Sequence, residues 1–394
     1  MSRLEELIQQ YCPDGVEYVP LSSIADLSRG KVISKDYIKD NGGDYPVYSS
    51  QSENEGILGR INSYMYDGKY LTWTTDGAYA GTIFRRLGKF NITNVCGLVK
   101  VNTPNVSMDF LYYWLYVEAP KYVYRGMGNP KLMSNVMGAI SVPVPPLPVQ
   151  EEIVRILDNF TELQAELQAE LQKRLQQYEY YKWNIFEGLS FPTKHITDVA
   201  LVKARVGWQR LTTAEYQETG DYYLITGTDF KNGKIDFNSC VFVSKERYEM
   251  DPNIIVGKGD ILITKDGTLG KVAFMAEEPN KPTTLNSGVF RIHTTDPQVS
   301  SRYLFHYFTS KYFTDFVNSV KTGSTIPHLT QQGLVSLNIP IPSLEEQNRI
   351  VSILDRFDTL TNDLTQGLPA EIEKRRQQYE YYRDKLLTFK RKGA

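Results

Sequence analysis

No run of apolar residues in this 394-residue chain approaches the ~18 that a membrane-spanning helix needs, which excludes a helical membrane protein. Cysteine is scarce. Cys12, Cys96 and Cys240 are an odd, scattered set without a C-x-x-C pair, which excludes a disulfide framework and a thiolate metal centre. The start of the chain, MSRLEELIQQY, is polar and amphipathic and lacks the apolar core of a signal peptide, so a reduced, cytoplasmic protein is expected. Histidine is also rare. His195, His293, His306 and His328 show no H-x-x-x-H or mixed Cys/His spacing, and no metal is expected.

The signatures of several enzyme classes are missing as well. Asp251-Pro252-Asn253 and Asn129-Pro130-Lys131 lack the second proline and aromatic residue of a D/N-P-P-Y/F methyltransferase motif, and no F-x-G-x-G cofactor loop occurs. Gly126 and Gly128 form a lone G-x-G. Gly257-Lys258-Gly259-Asp260 lacks the glycine spacing and hydroxyl residue of a phosphate-binding loop. No P-D…(D/E)-x-K nuclease pattern is found. A chain without catalysis of its own is the expectation. Excess charge is missing too, since the net charge is only −2. Residues 144–188 and 342–390 together carry −5, so the remainder carries +3, and any nucleic-acid contact must come from local clusters.

What is present is a duplication. The composition is that of an ordinary globular protein, 41% apolar and 23% charged, with 27 tyrosines. QQYEYY occurs at Gln176–Tyr181 and again at Gln377–Tyr382. Upstream, VPVPPLPVQEEIVRILDNF (142–160) aligns with IPIPSLEEQNRIVSILDRF (339–357) at an offset of 197, whereas the QQYEYY copies are 201 apart. Four extra residues therefore separate the two blocks in the second copy. This is a tandem repeat.

Both repeats open on Pro-x-Pro, which favours an extended exit and forbids a helix interior. Ser343 and Glu346 have capping-box spacing, so a helix is expected to start there. Beyond it, Phe160, Leu163, Leu167, Leu171, Leu175 and Tyr178 recur at helical period, as do Ile350, Ile353, Phe357, Leu360 and Leu364. Gly367-Leu368-Pro369 interrupts the second stripe, and a break or kink is expected there. About 40 helical residues at 1.5 Å each make a rod of roughly 60 Å, much longer than a typical core helix. Each rod must bury its stripe, and the other copy is the natural partner in an antiparallel pair. The segments between the rods are rich in Gly, Tyr, Val, Ile and Thr and read as strands joined by Asp-Gly turns, as in KYLTWTTDGAYAGTIFRR and DILITKDGTLGKVAF. Short aromatic helices (FLYYWLY, YLFHYF) follow, then loops sharing Gly-x-x-x-Pro-x-Leu at Gly126–Leu132 and Gly323–Leu329. Two mixed α+β heads result, alike in order and different in sequence.

YPVYSSQSENEGILGRI, TTDGAYAGTIFRR, GNPKL with STIPHL, the paired P-x-P-x-L-x-x-Q-x-x-I-V-x-I-L-D blocks and QQYEYY together resemble the specificity subunit of type I restriction–modification systems, over nearly the whole chain. The resemblance implies an α+β fold. Two globular target recognition domains would be separated by two long antiparallel coiled-coil helices with pseudo-twofold symmetry. The expected boundaries are 1–143 and 189–341 for the recognition domains, and 144–188 and 342–390 for the spacer helices. It further implies a non-catalytic subunit whose heads each read one half of a bipartite, asymmetric sequence in double-stranded DNA. The helices would set the spacing and dock two methyltransferase subunits, and motor-nuclease restriction subunits would complete the complex. S-adenosylmethionine is expected on the methyltransferase and not on this chain.

A base-reading head needs amides, cations and hydroxyls on loops. Candidates in the first head are Ser49, Ser50 and Gln51, then Thr74, Thr75 and Tyr79 beside Asp76-Gly77, and Arg85 with Arg86. In the second they are Thr226, Thr228 and Lys231, then Lys265, Thr268 and Lys271. Arg125 and Lys131, with Lys321, Ser324 and His328, flank the Gly/Pro loops. Each has a structural alternative. Asp76 and Asp266 suit turn formation, and adjacent strand residues Arg85 and Arg86 point to opposite faces, so at most one reaches a groove. The Gly/Pro loops could instead be hinges. In QQYEYY, Tyr178 and Tyr181 share a face, whereas Tyr180 and Tyr381 lie off the buried stripe and are candidates for partner docking. An alternative function, an interaction scaffold whose aromatic heads bind another ligand such as carbohydrate, remains open on the residues alone.

Overall fold

The computed structural model describes residues 3–51, 53–126, 128–186, 191–206, 211–323, 327–363 and 365–393. It divides into two compact units, Met1–Ala165 with Lys374–Ala394, and Glu166–Glu373.

The first unit holds α1 (Arg3–Tyr11), β1 (Tyr18–Pro20), β2 (Ala25–Arg29), α2 (Lys35–Asp40), β3 (Gly42–Tyr48), β4 (Ile57–Ile61), β5 (Tyr66–Thr74), β6 (Ile83–Ile92), β7 (Cys96–Val101), α3 (Met108–Glu118), α4 (Ser134–Gly138) and β8 (Ser141–Pro143). Its six-stranded sheet runs β2-β7-β5-β6-β3-β4, antiparallel except where β3 joins β6. Alternation along β5 sends Leu71 and Trp73 into the core with Ile83, Val99, Phe110, Leu111 and Leu115. Trp73 fills the space that a side chain at Gly97 would occupy, because a Cβ there would lie 2.3 Å from the indole ring. The Trp73 indole N–H donates to Leu132 O at 3.0 Å and so ties the Gly/Pro loop to the sheet.

Helix α5 (Leu147–Asn184), 38 residues long, begins in the first unit and ends in the second. The second unit continues with β9 (Thr193–His195), α6 (Ile196–Val199), β10 (Ala200–Ala204), β11 (Tyr222–Ile225), β12 (Phe230–Lys231), β13 (Lys234–Ile235), β14 (Val241–Val243), α7 (Lys245–Glu249), β15 (Ile261–Thr264), β16 (Val272–Phe274), β17 (Thr283–Leu285) and β18 (Val289–Thr294). It closes with α8 (Ser301–Phe308), α9 (Lys311–Val320), α10 (Gln331–Val335), β19 (Asn338–Pro340) and α11 (Leu344–Asn362). The sheets here are smaller, β10-β18-β15-β16 and β14-β11-β17. Helix α12 (Leu368–Leu386) follows a break at the Gly367-Leu368-Pro369 interruption. Pro369 has no N–H to continue a helix, and Gly367 is packed so closely that a Cβ would lie 2.4 Å from Thr359 O.

The repeated block has the same job in both units. Gln150 is fully buried; its amide donates to Asn105 O (2.8 Å) and Pro145 O (2.6 Å), and its oxygen accepts from Ser107 N–H (2.8 Å). Gln347, equally buried, donates to Gln298 O and Pro342 O (2.9 Å each) and accepts from Ser300 N–H at 2.8 Å. One side chain thus joins the start of the long helix to the cap of the aromatic helix. The aspartate of Ile-Leu-Asp repeats the pattern. Asp158 accepts from Tyr113 Oη (2.6 Å) and Arg85 Nη1 (3.1 Å), and Asp355 from His306 Nε2 (2.6 Å) and Arg302 Nε (2.8 Å). The QQYEYY copies pack alike too. Tyr178 stacks on Phe357 at 5.9 Å in the second unit, and Tyr382 on Phe160 at 5.7 Å in the first. The start of one helical segment therefore meets the end of the other in each unit, an antiparallel pairing.

Candidate nucleic-acid interface

In the first unit, β5 ends at Thr74 and the chain turns through Thr75, Asp76 and Gly77. Gly77 takes a φ of +96°, which a side chain would oppose, and its N–H donates to Pro130 O at 3.0 Å. Leu132 N–H donates to Thr75 O (2.9 Å), while Lys131 and Tyr124 exchange backbone bonds at 2.9 and 3.0 Å. The Asp-Gly turn and the Gly/Pro loop are thus stitched into one tip. Asp76 is braced from below by Arg29, whose Nη2 donates to Asp76 Oδ2 (3.2 Å) and Thr75 Oγ1 (2.7 Å); Lys131 Nζ lies 3.9 Å from Asp76 Oδ1. Tyr79, Tyr124, Arg125 and Lys131 are exposed around the tip. Ser49 lies elsewhere in the unit, its hydroxyl 3.0 Å from that of Thr93, whose backbone bridges Lys31.

The second unit builds the same tip from different side chains. Leu329 N–H donates to Lys265 O (2.9 Å), His328 and Thr322 exchange backbone bonds at 2.8 and 2.9 Å, and His328 Nδ1 lies 2.6 Å from Asp266 Oδ1. Lys321, Thr322, Thr268 and Lys271 are exposed beside it. Thr226 and Thr228, with hydroxyls 2.8 Å apart, flank Gly227; that glycine lines an open hollow of about 680 Å³ with Thr212, Asp266, Gly267 and Ser287.

Not every expected residue belongs to these tips. Thr74, Thr75 and Arg86 are buried and cannot reach a groove as placed. Arg86 lies 3.5 Å from the centre of the Tyr48 ring and bonds Thr72 Oγ1 (3.1 Å), and burial depresses its pKa. Its Nη2 sits 3.1 Å from where a Cβ on Gly56 would be, so it packs directly under that glycine. Arg85 turns toward the long helix, against Asp158 and Asp109 and over Tyr112 and Tyr113. The pair does point to opposite faces, as strand alternation requires, and each face is covered: Arg85 by Asp109, Asp158 and Tyr112, Arg86 by Tyr48 and Thr72, so neither is free to reach a groove as placed. Gln51 spends its amide on Ile57 O (2.6 Å), while Ser50 is half-buried. Lys231 pairs with Asp236 at 2.5 Å and lines a separate cleft with Arg302 and Asp355 beside α11, away from Asp266. Lys265 is half-buried, its Nζ 5.3 Å from the Phe290 ring centre. Ser324 lies outside the described residues.

Sequence reasoning missed Arg29, Lys31 and Tyr124, although Arg29-Gly30-Lys31 at a strand end is a readable basic signal. On the helices, Tyr180 and Tyr381 are 65% and 63% exposed, whereas Tyr178 is buried and its hydroxyl pKa is raised by desolvation. Burial pushes the Cys96 thiol up to about 12, which leaves it unreactive. Among the described residues, no group of three or more His, Cys, Asp or Glu could hold a metal, and no helix is long and apolar enough to cross a membrane.

Two heads with matching loop tips on a duplicated helical scaffold define a class of repeat-built recognition protein. Comparison with known proteins supplies the family. A model of the type I restriction modification DNA specificity domain matches twice, at residues 13–177 and 191–374, and the chain belongs to this family of non-catalytic specificity subunits. A chain of Mycoplasma pneumoniae assigned as a type I specificity subunit is 31% identical over 379 residues, covering 94% of this chain and 96% of that one. A Haemophilus influenzae chain assigned as a type I restriction enzyme specificity subunit is 32% identical over 393 residues, with 95% and 96% covered. The fold is shared with the crystal structure of a type I S subunit from M. genitalium (TM-score 0.54, 16% identity, 94% and 95% covered). It is also shared with a chain solved in work on assembly and conformational transition of the type I system (TM-score 0.63, 15% identity, 96% and 98% covered).

Proposed function

We propose that each unit reads one half of a bipartite, asymmetric target in double-stranded DNA. The long helices would set the gap between the halves and dock two adenine methyltransferase subunits, which carry S-adenosylmethionine; restriction subunits would join to complete the complex, in the cytoplasm. On this reading residues 1–143 and 189–341 are the recognition domains, and 144–188 and 342–390 the spacers. The observation that carries it is the pair of loop tips, with matching backbone bonds and different exposed side chains at Tyr124/Thr322 and Lys131/His328. Invariant backbone with variable tips is what two readers of different sequences need. Tyr180 and Tyr381, exposed at equivalent places on the repeated helices, supply two matching positions for two copies of one partner. A scaffold binding carbohydrate through aromatic heads is less well supported, because cations and hydroxyls surround the tips. Co-expression with methyltransferase subunits, followed by mapping of methylated adenines, tests the reading. A single bipartite motif is expected, and the absence of any would end it.

A further inference from the structure

The tips share more than their backbone. Each sets a turn carboxylate beside an N–H-bearing basic side chain of the Gly/Pro loop, Asp76 beside Lys131 and Asp266 beside His328, although the heads otherwise share only landmarks. The anion is oriented, not merely present. In the first unit Arg29 and Thr75 hold Asp76 Oδ2, leaving Oδ1 on the side of Lys131. In the second, Asp266 Oδ1 receives the imidazole, and the turn is fixed by Gly267 at a φ of +71° and by the Leu329 N–H bond to Lys265 O. Lys131 and His328 are exposed, and the two aspartates are half-buried beside them.

Resting on the reading of the heads as DNA readers, we propose that in each head this aspartate and its basic neighbour together read a G·C base pair in the major groove. A G·C edge offers the two adjacent acceptors of guanine, O6 and N7, beside the donor amine of cytosine N4. An N–H donor, a lysine ammonium or an imidazole N–H, matches an acceptor of guanine, and a carboxylate matches the amine. An A·T edge puts its donor between two acceptors and ends in the thymine methyl, which leaves one charge facing an apolar group. The arrangement also limits the loss on binding. Each carboxylate already has N–H neighbours in the free protein, Arg29 and Lys131 for Asp76 and His328 for Asp266, so a non-matching base pair disturbs those contacts without replacing them.

The test uses the full chain co-expressed with its methyltransferase subunits and reads the methylated-adenine motif. The wild-type motif should hold at least one fixed G·C pair in each half. Asp266→Asn converts one acceptor oxygen into a donor, as adenine recognition by asparagine requires. It should therefore relax or shift one G·C position toward A·T in one half only. Discrimination there should fall on the order of tenfold to a hundredfold, and Asp76→Asn should do the same in the other half. His328→Gln, which leaves the turn aspartate in place, repeats the test if Asp266→Asn fails to fold. A wild-type half-site without any fixed G·C pair, or variant motifs identical to wild type, would overturn the proposal while leaving bipartite reading intact. A wild-type chain that directs no bipartite methylation overturns both.

Discussion

Replacing Gln347 by methionine isolates the join between head and helix. The side chain is fully buried and satisfies three backbone groups: Ser300 N–H at 2.8 Å, and the carbonyls of Gln298 and Pro342 at 2.9 Å each. Methionine matches its length and bonds none of them. Each buried backbone group left without a partner costs about 1–3 kcal/mol, so the expected loss for three is about 3–9 kcal/mol, a large share of a domain's ~5–15 kcal/mol. A chain of two units need not unfold in one step, so a single midpoint is the wrong observable. Amide exchange resolved by peptide is the right one. Exchange should accelerate across residues 298–308, where Ser300 caps α8, and stay unchanged at 105–118. Gln150→Met should give the converse. If Gln347→Met leaves exchange at 298–308 as in wild type, the join does not hold the head.

The His306–Asp355 pair predicts acid sensitivity. Burial holds the His306 pKa below its ordinary value, and Nδ1 has no hydrogen-bond partner among the described residues to receive a second proton's N–H. A neutral buried imidazole contributes stability above the unfolded pKa of about 6.5, and this is lost as pH falls below it. Asp355, also depressed, acts in the same direction at lower pH. Thermal unfolding should show the second unit weakening between pH 7.5 and 5.5, with the drop reduced in His306→Tyr, the residue type that Tyr113 provides in the first unit; an equal drop in both proteins would refute this. Phe357→Ala removes the one ring that faces both Tyr178 and Tyr181 and should cost about 2–4 kcal/mol, seen as faster proteolysis within α11. Tyr180→Ala and Tyr381→Ala should change stability by no more than about 0.5 kcal/mol yet weaken co-purification of methyltransferase subunits at least about tenfold.

The repeat, the long helices and the order of strands were legible because periodicity and duplication are local properties of a sequence. So was the interruption at Gly367-Leu368-Pro369, where the structure ends one helix and starts another. The glutamine of the repeated block was visible as a letter but not as a role, since its partners at the cap of the aromatic helix lie 43 to 49 residues away. Arg85 and Arg86 were misplaced for a related reason. Alternation gives them opposite faces, as observed, but it does not record that Tyr112 and Asp158 cover one face while Tyr48 and Gly56 cover the other. Lys231 shares its head with Lys265 but stands beside α11, a separation that strand pairing sets and composition does not record.

Exchanging residues 16–143 for the corresponding segment of another specificity subunit, then mapping methylated adenines in cells that supply the methyltransferase, tests the central claim most directly. The account predicts that one half of the bipartite sequence changes, while the other half and the spacing between them persist. A motif unchanged in both halves, or replaced in both, would contradict it.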